Sequence, residues 1–555
     1  MSGEERIDYL VAGAGPAGIQ AGYFLERAGR DYLVVEEGAA PGTFFTRFPR
    51  HRTLISSNKV HTGWDDPELR LRVDWNSLLS EEGGPLFTEV TSRYFPAADD
   101  MVGYLADFAA THRLRIRHHT RITHISRAAA EGTEGSTDGG SPRGDFLART
   151  GDGTVLRAKR LIMATGVTRP YVPPIPGVEL AEQYSDVSVD PDDFTGKRVL
   201  IVGRGNSAFE TADNLIERAA VIHVLGPGSL RLAWQTHFVG HLRAVNNNFL
   251  DTYQLKSQNA LLDGEIVSIK RSEEDGKYLV AVKFVRVNEV VKEISYDRVI
   301  MATGFRFDAS IFDEECRPEL TIKDRFPAQT EAWESTNVPD VYFAGTITQV
   351  RDFKKSTSGF IHGFRYGVRA LSRVLSTRYH DEQWPHTELP ATAEAVADTL
   401  LTRINRTSAL WQLFGFLGDA VLVGPDSVGY YEELPVEYLH SALGEGEFGP
   451  VDRYLTITLE YGADHDKVNP FDITVNRLSQ QDTGGLDSRY LHPVVRLWQD
   501  GKVVSEHHLT ENLENEWDSE DVHRAPLVRY LATDLFPAGE QAAGSASTPT
   551  APKTS

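Results

Sequence analysis

Apolar positions along the chain gather into short runs that end abruptly at small residues. Ile7 to Ala12 reads as a buried strand and leads directly into Gly13-Ala14-Gly15-Pro16-Ala17-Gly18, after which a helical pattern continues to about Arg27. Tyr32-Leu33-Val34-Val35-Glu36 forms the next strand and places an acidic residue at its end. This is a βαβ opening with its glycines in the turn. The same order returns later, with strand Val199 to Val202 running into Gly203-Arg204-Gly205-Asn206-Ser207-Ala208. Each copy closes on a strand that ends in Ala-Thr-Gly: Arg160 to Met163 before Ala164-Thr165-Gly166, and Arg298 to Met301 before Ala302-Thr303-Gly304. One dinucleotide-binding domain inserted within another is the simplest account.

Pro170, Pro173, Pro174 and Pro176 make a stiff connection between the copies. The first domain resumes at Val341 to Thr346 and finishes on a helix near Arg369 to Leu375. From about Trp384 alternating strands such as Tyr454 to Glu460 and Val494 to Trp498 mark a separate, partly β module. The predicted class is α/β with two Rossmann-like domains, one discontinuous over 1–167 and 306–378 and one inserted over 168–305. A C-terminal α+β module, 384–536, follows. The Gly- and Ser-rich insert between Ala128 and Asp145 reads as a mobile hairpin or loop, and the tail 537–555 as disordered.

Composition narrows the chemistry. With 555 residues, 41% hydrophobic and 25% charged, the chain has the make-up of a globular protein with several cores. Lys plus Arg is 57 against 79 Asp plus Glu, and 57 − 79 = −22 argues against nucleic acid or an anionic membrane as partner. The single cysteine, Cys316, excludes an intramolecular disulfide and a dithiol redox pair. No apolar run is long enough to span a membrane, and the N-terminus lacks a cationic start with an apolar core, so a cytoplasmic address is expected. The pairs His118-His119 and His507-His508 place neighbours on opposite faces of a strand, and no metal site is predicted.

Glycines at 13, 15 and 18 permit a tight turn and close approach of a diphosphate to backbone N–H groups at a helix N-terminus. Glu36 would accept hydrogen bonds from the ribose hydroxyls. In the second copy the strand Val221 to Leu225 ends at Gly226-Pro227-Gly228 without a carboxylate, and Arg231 lies just beyond. An arginine there favours a 2′-phosphate, hence NADPH. Two dinucleotide sites in a chain without a dithiol point to flavin as the electron relay. Reduced flavin can pass electrons to oxygen, a quinone or an organic substrate, and periodicity does not choose among these.

The layout of Gly13 to Gly18, Gly203 to Ala208 and Ala302-Thr303-Gly304-Phe305 resembles class B flavoprotein monooxygenases over roughly residues 6–375. The segments Phe48 to Lys59, Asp74 to Leu79 and Asp352 to Tyr366 look more closely like the FAD-dependent oxidoreductase domain-containing family. Leu491 to Val494 and Ser505 to Leu509 extend that likeness to about residue 535. Its bacterial relatives include N-oxygenases that convert aspartate to nitrosuccinate. The FxGxxxHxxx(W/P) fingerprint is missing: Glu182-Gln183-Tyr184-Ser185-Asp186-Val187 holds no histidine. The chain also ends without an ER retention tetrapeptide, against a lumenal role.

The resemblance implies FAD contacts at Gly13, Gly15, Pro16, Ala17, Gly18, Glu36 and Glu37. It adds Thr43, Phe44, Arg52, Thr53, Leu54, Ser57 and Asn58, then Ile122, Ala164, Thr165 and Gly166, and finally Asp352, Ser358, Gly359 and Phe360. NADPH contacts fall at Gly203, Gly205, Asn206, Ser207, Arg231, Thr303 and Gly304. Asn58 aligns with an asparagine beside the flavin ring and is the candidate catalytic residue, its amide able to donate to bound oxygen and to accept from flavin N5–H. Residues 41–60 carry Arg47, Arg50, Arg52 and Lys59 with no acid, and residues 351–370 carry five cations against Asp352. The FAD diphosphate and solvent share part of that charge. Arg50, Lys59, Lys354 and Lys355 are the candidates for an anionic substrate.

The implied activity is an FAD- and NADPH-dependent monooxygenase that uses O2 to N-oxygenate a small amine or amino acid through a C4a-hydroperoxyflavin, with L-aspartate as first candidate. Two alternatives stay open: an NADPH oxidase or quinone reductase of the same fold, and a non-catalytic flavin-containing partner-binding protein. Monomer and homodimer are both open.

Overall fold

Strand Glu5–Ala12 is central to the first sheet, pairing in parallel with Tyr32–Val35 on one side and Val155–Met163 on the other. Tyr9, Leu10 and Val11 are wholly buried, as a strand covered on both faces requires. Ile116–Arg117 extends the sheet beyond Tyr32–Val35, and Val341–Phe343 pairs in parallel with Val155–Met163. Phe146–Thr150 and Ile122–Arg127 add an antiparallel flank. In the computed structural model the described residues are 5–128, 144–255, 258–287, 290–424, 427–451 and 453–537. Nearly all of the insert after Ala128 and of the tail from 537 therefore lies outside the described residues.

The second sheet has a parallel half, Val221–Gly226, Arg198–Val202 and Arg298–Met301, and an antiparallel half, Ala260–Arg271, Tyr278–Phe284 and Val291–Tyr296. Val199, Ile201, Ile222 and Val224 pack into one core while Leu200, Val202, Leu225, Val299 and Met301 pack into another. The period of two along each strand divides its apolar residues between the two faces. Both sheets lie within one compact unit, residues 1–63 and 73–372.

The second unit contains residues 373–555 and an excursion from much earlier in the chain, Trp64–Arg72. Its six-stranded antiparallel sheet runs in the order His386–Glu388, Val428–Pro435, Leu417–Val423, Arg453–Glu460, His492–Gln499, Lys502–His508. The excursion corrects the expected boundary, which kept 1–167 whole. The short helix Pro67–Leu71 is capped by Asp66, and the buried Arg72 donates from Nε to the Thr407 carbonyl (2.9 Å) and from Nη2 to that of Ile404 (2.8 Å). Arg72 also stacks over the Trp411 ring. Burying a guanidinium demands such partners, and Thr407 and Ile404 of this unit supply them. The helix expected near 369–375 is longer, Ile361–His380. Among the described residues no helix is long and apolar enough to cross a membrane.

Candidate functional site

The Ala-Thr-Gly strand ends and the glycine turns meet in the same way in both copies. Gly13 has φ +100°, and a Cβ there would come 2.9 Å from the Ala164 carbonyl oxygen. Gly203 has φ +137°, and a Cβ there would run into the Ala302 carbonyl. Only glycine takes both the conformation and the approach. A Cβ at Gly18 would overlap the Gly13 carbonyl, whereas the second copy tolerates Ala208 at the matching place.

Gly15 and Gly205 differ from these. Both are extended N-cap residues, of helices Pro16–Arg27 and Asn206–Leu215, and nothing lies within 4 Å of a Cβ on either. The open space belongs to one cavity of about 1630 Å³ lined by both turns. That exceeds the ~300–1,000 Å³ of an ordinary one-ligand pocket. Two helix N-termini with uncapped N–H groups, each fronted by a bare glycine, fit the diphosphates of two dinucleotides. The residues present thus suit FAD at the first turn and a nicotinamide dinucleotide at the second.

Of the residues anticipated for FAD, the cavity is lined by Gly15, Pro16, Ala17, Phe44, Thr53, Leu54, Ala164, Thr165, Gly166, Gly359 and Phe360. All seven anticipated for the nicotinamide nucleotide line it: Gly203, Gly205, Asn206, Ser207, Arg231, Thr303 and Gly304. Gly13 and Gly18 sit behind the first turn as its packing residues. Glu36 is buried and accepts from the N–H groups of Ala14 (2.8 Å) and Gly38 (2.9 Å), which aims its carboxylate at the turn.

The remaining candidates stand elsewhere. Thr43 donates to the Ala40 carbonyl, Glu37 pairs with Arg121, Arg52 pairs with Asp99, and Ile122 packs against the core of the first sheet. Ser57 accepts on its carbonyl from the Trp75 N–H, and Asp352 accepts from the Ser358 N–H (3.0 Å), closing the loop before Gly359. Burial pushes the Asp352 carboxyl up to about 6.

Asn58 is buried, and its Nδ2 donates to the carbonyls of Thr91 (2.7 Å) and Arg93 (3.2 Å), which engages the amide donor expected to face oxygen. Among the described residues its Oδ1 has no partner and keeps the acceptor capacity expected towards flavin N5–H. Around it, Thr53 and Asn58 make isolated bridges, with Ala97 and Asp74, outside any regular strand. The substrate cations need correction. Lys354 lines the cavity, whereas Arg50 donates to the Val187 carbonyl, and Lys59 and Lys355 are exposed outside it. In an irregular loop a run of charge does not fix where each side chain points.

Several lining residues escaped the sequence reading. Tyr184 donates from its hydroxyl to Glu210, both at the cavity wall, and burial pushes the Glu210 carboxyl up to about 7. Trp75, His362 and Arg243 form another part of the wall. Trp75 and His362 lay within segments that carried the family likeness, which was the available signal; Arg243 had none. Arg325 joins Arg231 and Lys354 at the lining, and burial followed by those two arginines lowers the Lys354 ammonium from its ordinary range. At the other end of the chain, His507 stacks on Tyr530 while His508 meets His492, so the adjacent pair does take separate partners.

Residues 10–345 match the pyridine nucleotide-disulphide oxidoreductase family. Over 95% of its length the chain is 38% identical to FAD-dependent oxidoreductase domain-containing protein 2 of Mus musculus, covering 84% of that protein. The Danio rerio protein of the same name is 35% identical, with 94% and 82% covered. Among solved structures, a flavin-containing monooxygenase from Stenotrophomonas maltophilia superposes with a TM-score of 0.51 at 20% identity, covering 67% of this chain and 98% of that one. That likeness is one of fold.

Proposed function

The chain belongs to the pyridine nucleotide-disulphide oxidoreductase family, and within it to the group of FAD-dependent oxidoreductase domain-containing protein 2; on that premise we propose that this flavin oxidoreductase, with FAD and NAD(P)H as cofactors, is an NADPH-dependent monooxygenase that N-oxygenates a small amine or amino acid. L-Aspartate, oxidised towards nitrosuccinate, is the substrate this reading names first. The observation that carries it is the single cavity shared by both glycine turns in a chain whose one cysteine, Cys316, is buried and hydrogen-bonded to the Ile125 carbonyl. A single cysteine supplies no internal dithiol relay, and on this reading the electrons pass to a small molecule in that cavity.

When bound, the two cofactors supply hydride transfer from nicotinamide to flavin and activation of dioxygen. The chain's residues do the rest. Gly15 and Gly205 admit the diphosphates to backbone N–H groups, Glu36 holds the ribose of FAD, and Arg231 with Lys354 and Arg325 offers positive charge to a 2′-phosphate. Phe44, Phe48, Trp75 and Phe360 line the cavity with apolar surface that limits water.

An assay of NADPH oxidation against the twenty amino acids and uncharged amines tests the proposal. The expected result is substrate-dependent turnover with an N-oxygenated product. Peroxide equal to the NADPH consumed with every amine would replace it with an oxidase.

A further inference from the structure

Two polar groups of the cavity wall have hydrogen-bonding capacity that the protein leaves unused. The His362 ring is 2% exposed, and among the described residues neither of its nitrogens has a hydrogen-bond partner. Most buried polar atoms are satisfied, so an imidazole with both nitrogens unmatched in a cavity wall points to a ligand. The ring stacks with Trp75 (centroids 4.4 Å apart, 26° between planes) and with Phe360 (5.8 Å, 12°). Burial, reinforced by the nearby guanidinium groups of Arg365 and Arg243, holds the imidazole neutral, which leaves it one donor and one acceptor.

Arg243 is the second group. Its backbone N–H donates to Asn206 Oδ1 (2.9 Å), which fixes it beside the second glycine turn. Nη1 donates to the Ile55 carbonyl (2.8 Å), and the head group lies over the Trp75 ring at 5.2 Å. Among the described residues no carboxylate pairs with this half-buried cation. A guanidinium so placed has further N–H groups in the fork that matches a carboxylate.

We propose that Arg243, His362 and Trp75 form the recognition subsite for an amino-acid substrate, with the guanidinium binding a carboxylate and the neutral imidazole accepting from the amine. The reacting group rests on the N-oxygenation reading; the carboxylate site does not. It puts the substrate cation at Arg243 rather than Lys59 or Lys355. A nucleotide phosphate is the competing anion, and the contacts of the Arg243 head group with the Ile55 carbonyl and the Trp75 ring favour the substrate.

The flavin-loaded enzyme can be titrated with succinate, a redox-inert dicarboxylate, and separately with NADP+ and n-propylamine, following perturbation of the flavin absorbance. Arg243→Gln is expected to weaken succinate about tenfold or more, with partial recovery in Arg243→Lys and NADP+ affinity held within about twofold. His362→Phe, which keeps a stacked ring, is expected to lower L-aspartate affinity more than succinate affinity. Flavin content per chain reports folding of each variant. Loss of NADP+ affinity in Arg243→Gln with succinate unchanged would assign the cation to the nucleotide and overturn the subsite, as would n-propylamine binding as tightly as L-aspartate. Succinate binding that depends on Arg243 in an enzyme that oxygenates no amine would uphold the subsite and refute the monooxygenase.

Discussion

The side chain of Arg204 lies across Gly226, its Cγ 2.9 Å from where a Cβ on that glycine would be. Gly226 stands 226 − 203 = 23 positions after the first glycine of its turn, and Glu36 stands 36 − 13 = 23 positions after the first glycine of the other. One duplicated position thus bears a carboxylate in the first fold and an arginine-covered glycine in the second. Arg204 is held there by Asp263 and by the Leu262 carbonyl (2.8 Å). A carboxylate suits ribose hydroxyls and repels phosphate, so of the two sites the second is the better suited to a 2′-phosphate, as the proposed NADPH dependence requires.

Arg231→Ala should therefore weaken NADPH by roughly ten- to a hundredfold while NADH changes little, since it removes a charge-assisted contact of ~1.5–3 kcal/mol. Half-saturation of anaerobic flavin reduction by each nucleotide measures this. An equal loss for both would make Arg231 a structural residue.

Two glycines of one turn should fail differently. A side chain at Gly15 enters open cavity, so Gly15→Val should fold, with circular dichroism like the parent, and purify without yellow colour. Gly18→Val drives its Cβ into the Gly13 carbonyl and should not yield soluble protein. A fully flavinylated Gly15→Val protein would contradict the assignment of FAD to this turn.

Glu210 should make stability fall with rising pH. Burial pushes its folded carboxyl up to about 7 from an ordinary value of 4.5, while the Tyr184 hydroxyl pulls it down. Between those values the folded state binds the proton and the unfolded state has released it, so stability declines as pH rises through that window. The effect is on the order of 1–3 kcal/mol. Urea midpoints at pH 5 and pH 8 should differ less in Glu210→Gln than in the parent. Tyr184→Phe should extend the decline above pH 7.

In the second unit, Arg403 is shared by four carboxylates: Glu68 at 2.6 Å, Glu433 at 2.8 Å, the fully buried Asp419 at 3.2 Å and Glu432 at 3.6 Å. Arg403→Met strands those charges and should cost about 3–5 kcal/mol in denaturant unfolding. Adding Asp419→Asn to that variant should recover part of the loss, because one of the unpaired charges is gone.

The amino-acid sequence by itself determined the two glycine turns, the strands that feed them and the Ala-Thr-Gly ends that close on Gly13 and Gly203. These features answer to local backbone demands, a positive φ or an absent Cβ, and such demands are written in consecutive residues. Tertiary structure decided which cations face the cavity: Arg243 arrives from a distant segment, while Lys59 and Lys355 point elsewhere. It also drew Trp64–Arg72 into the second unit, where Arg72 meets Thr407 across 335 positions of chain. A buried guanidinium goes where carbonyls are free to receive it, and which carbonyls are free is known only once the whole chain has folded.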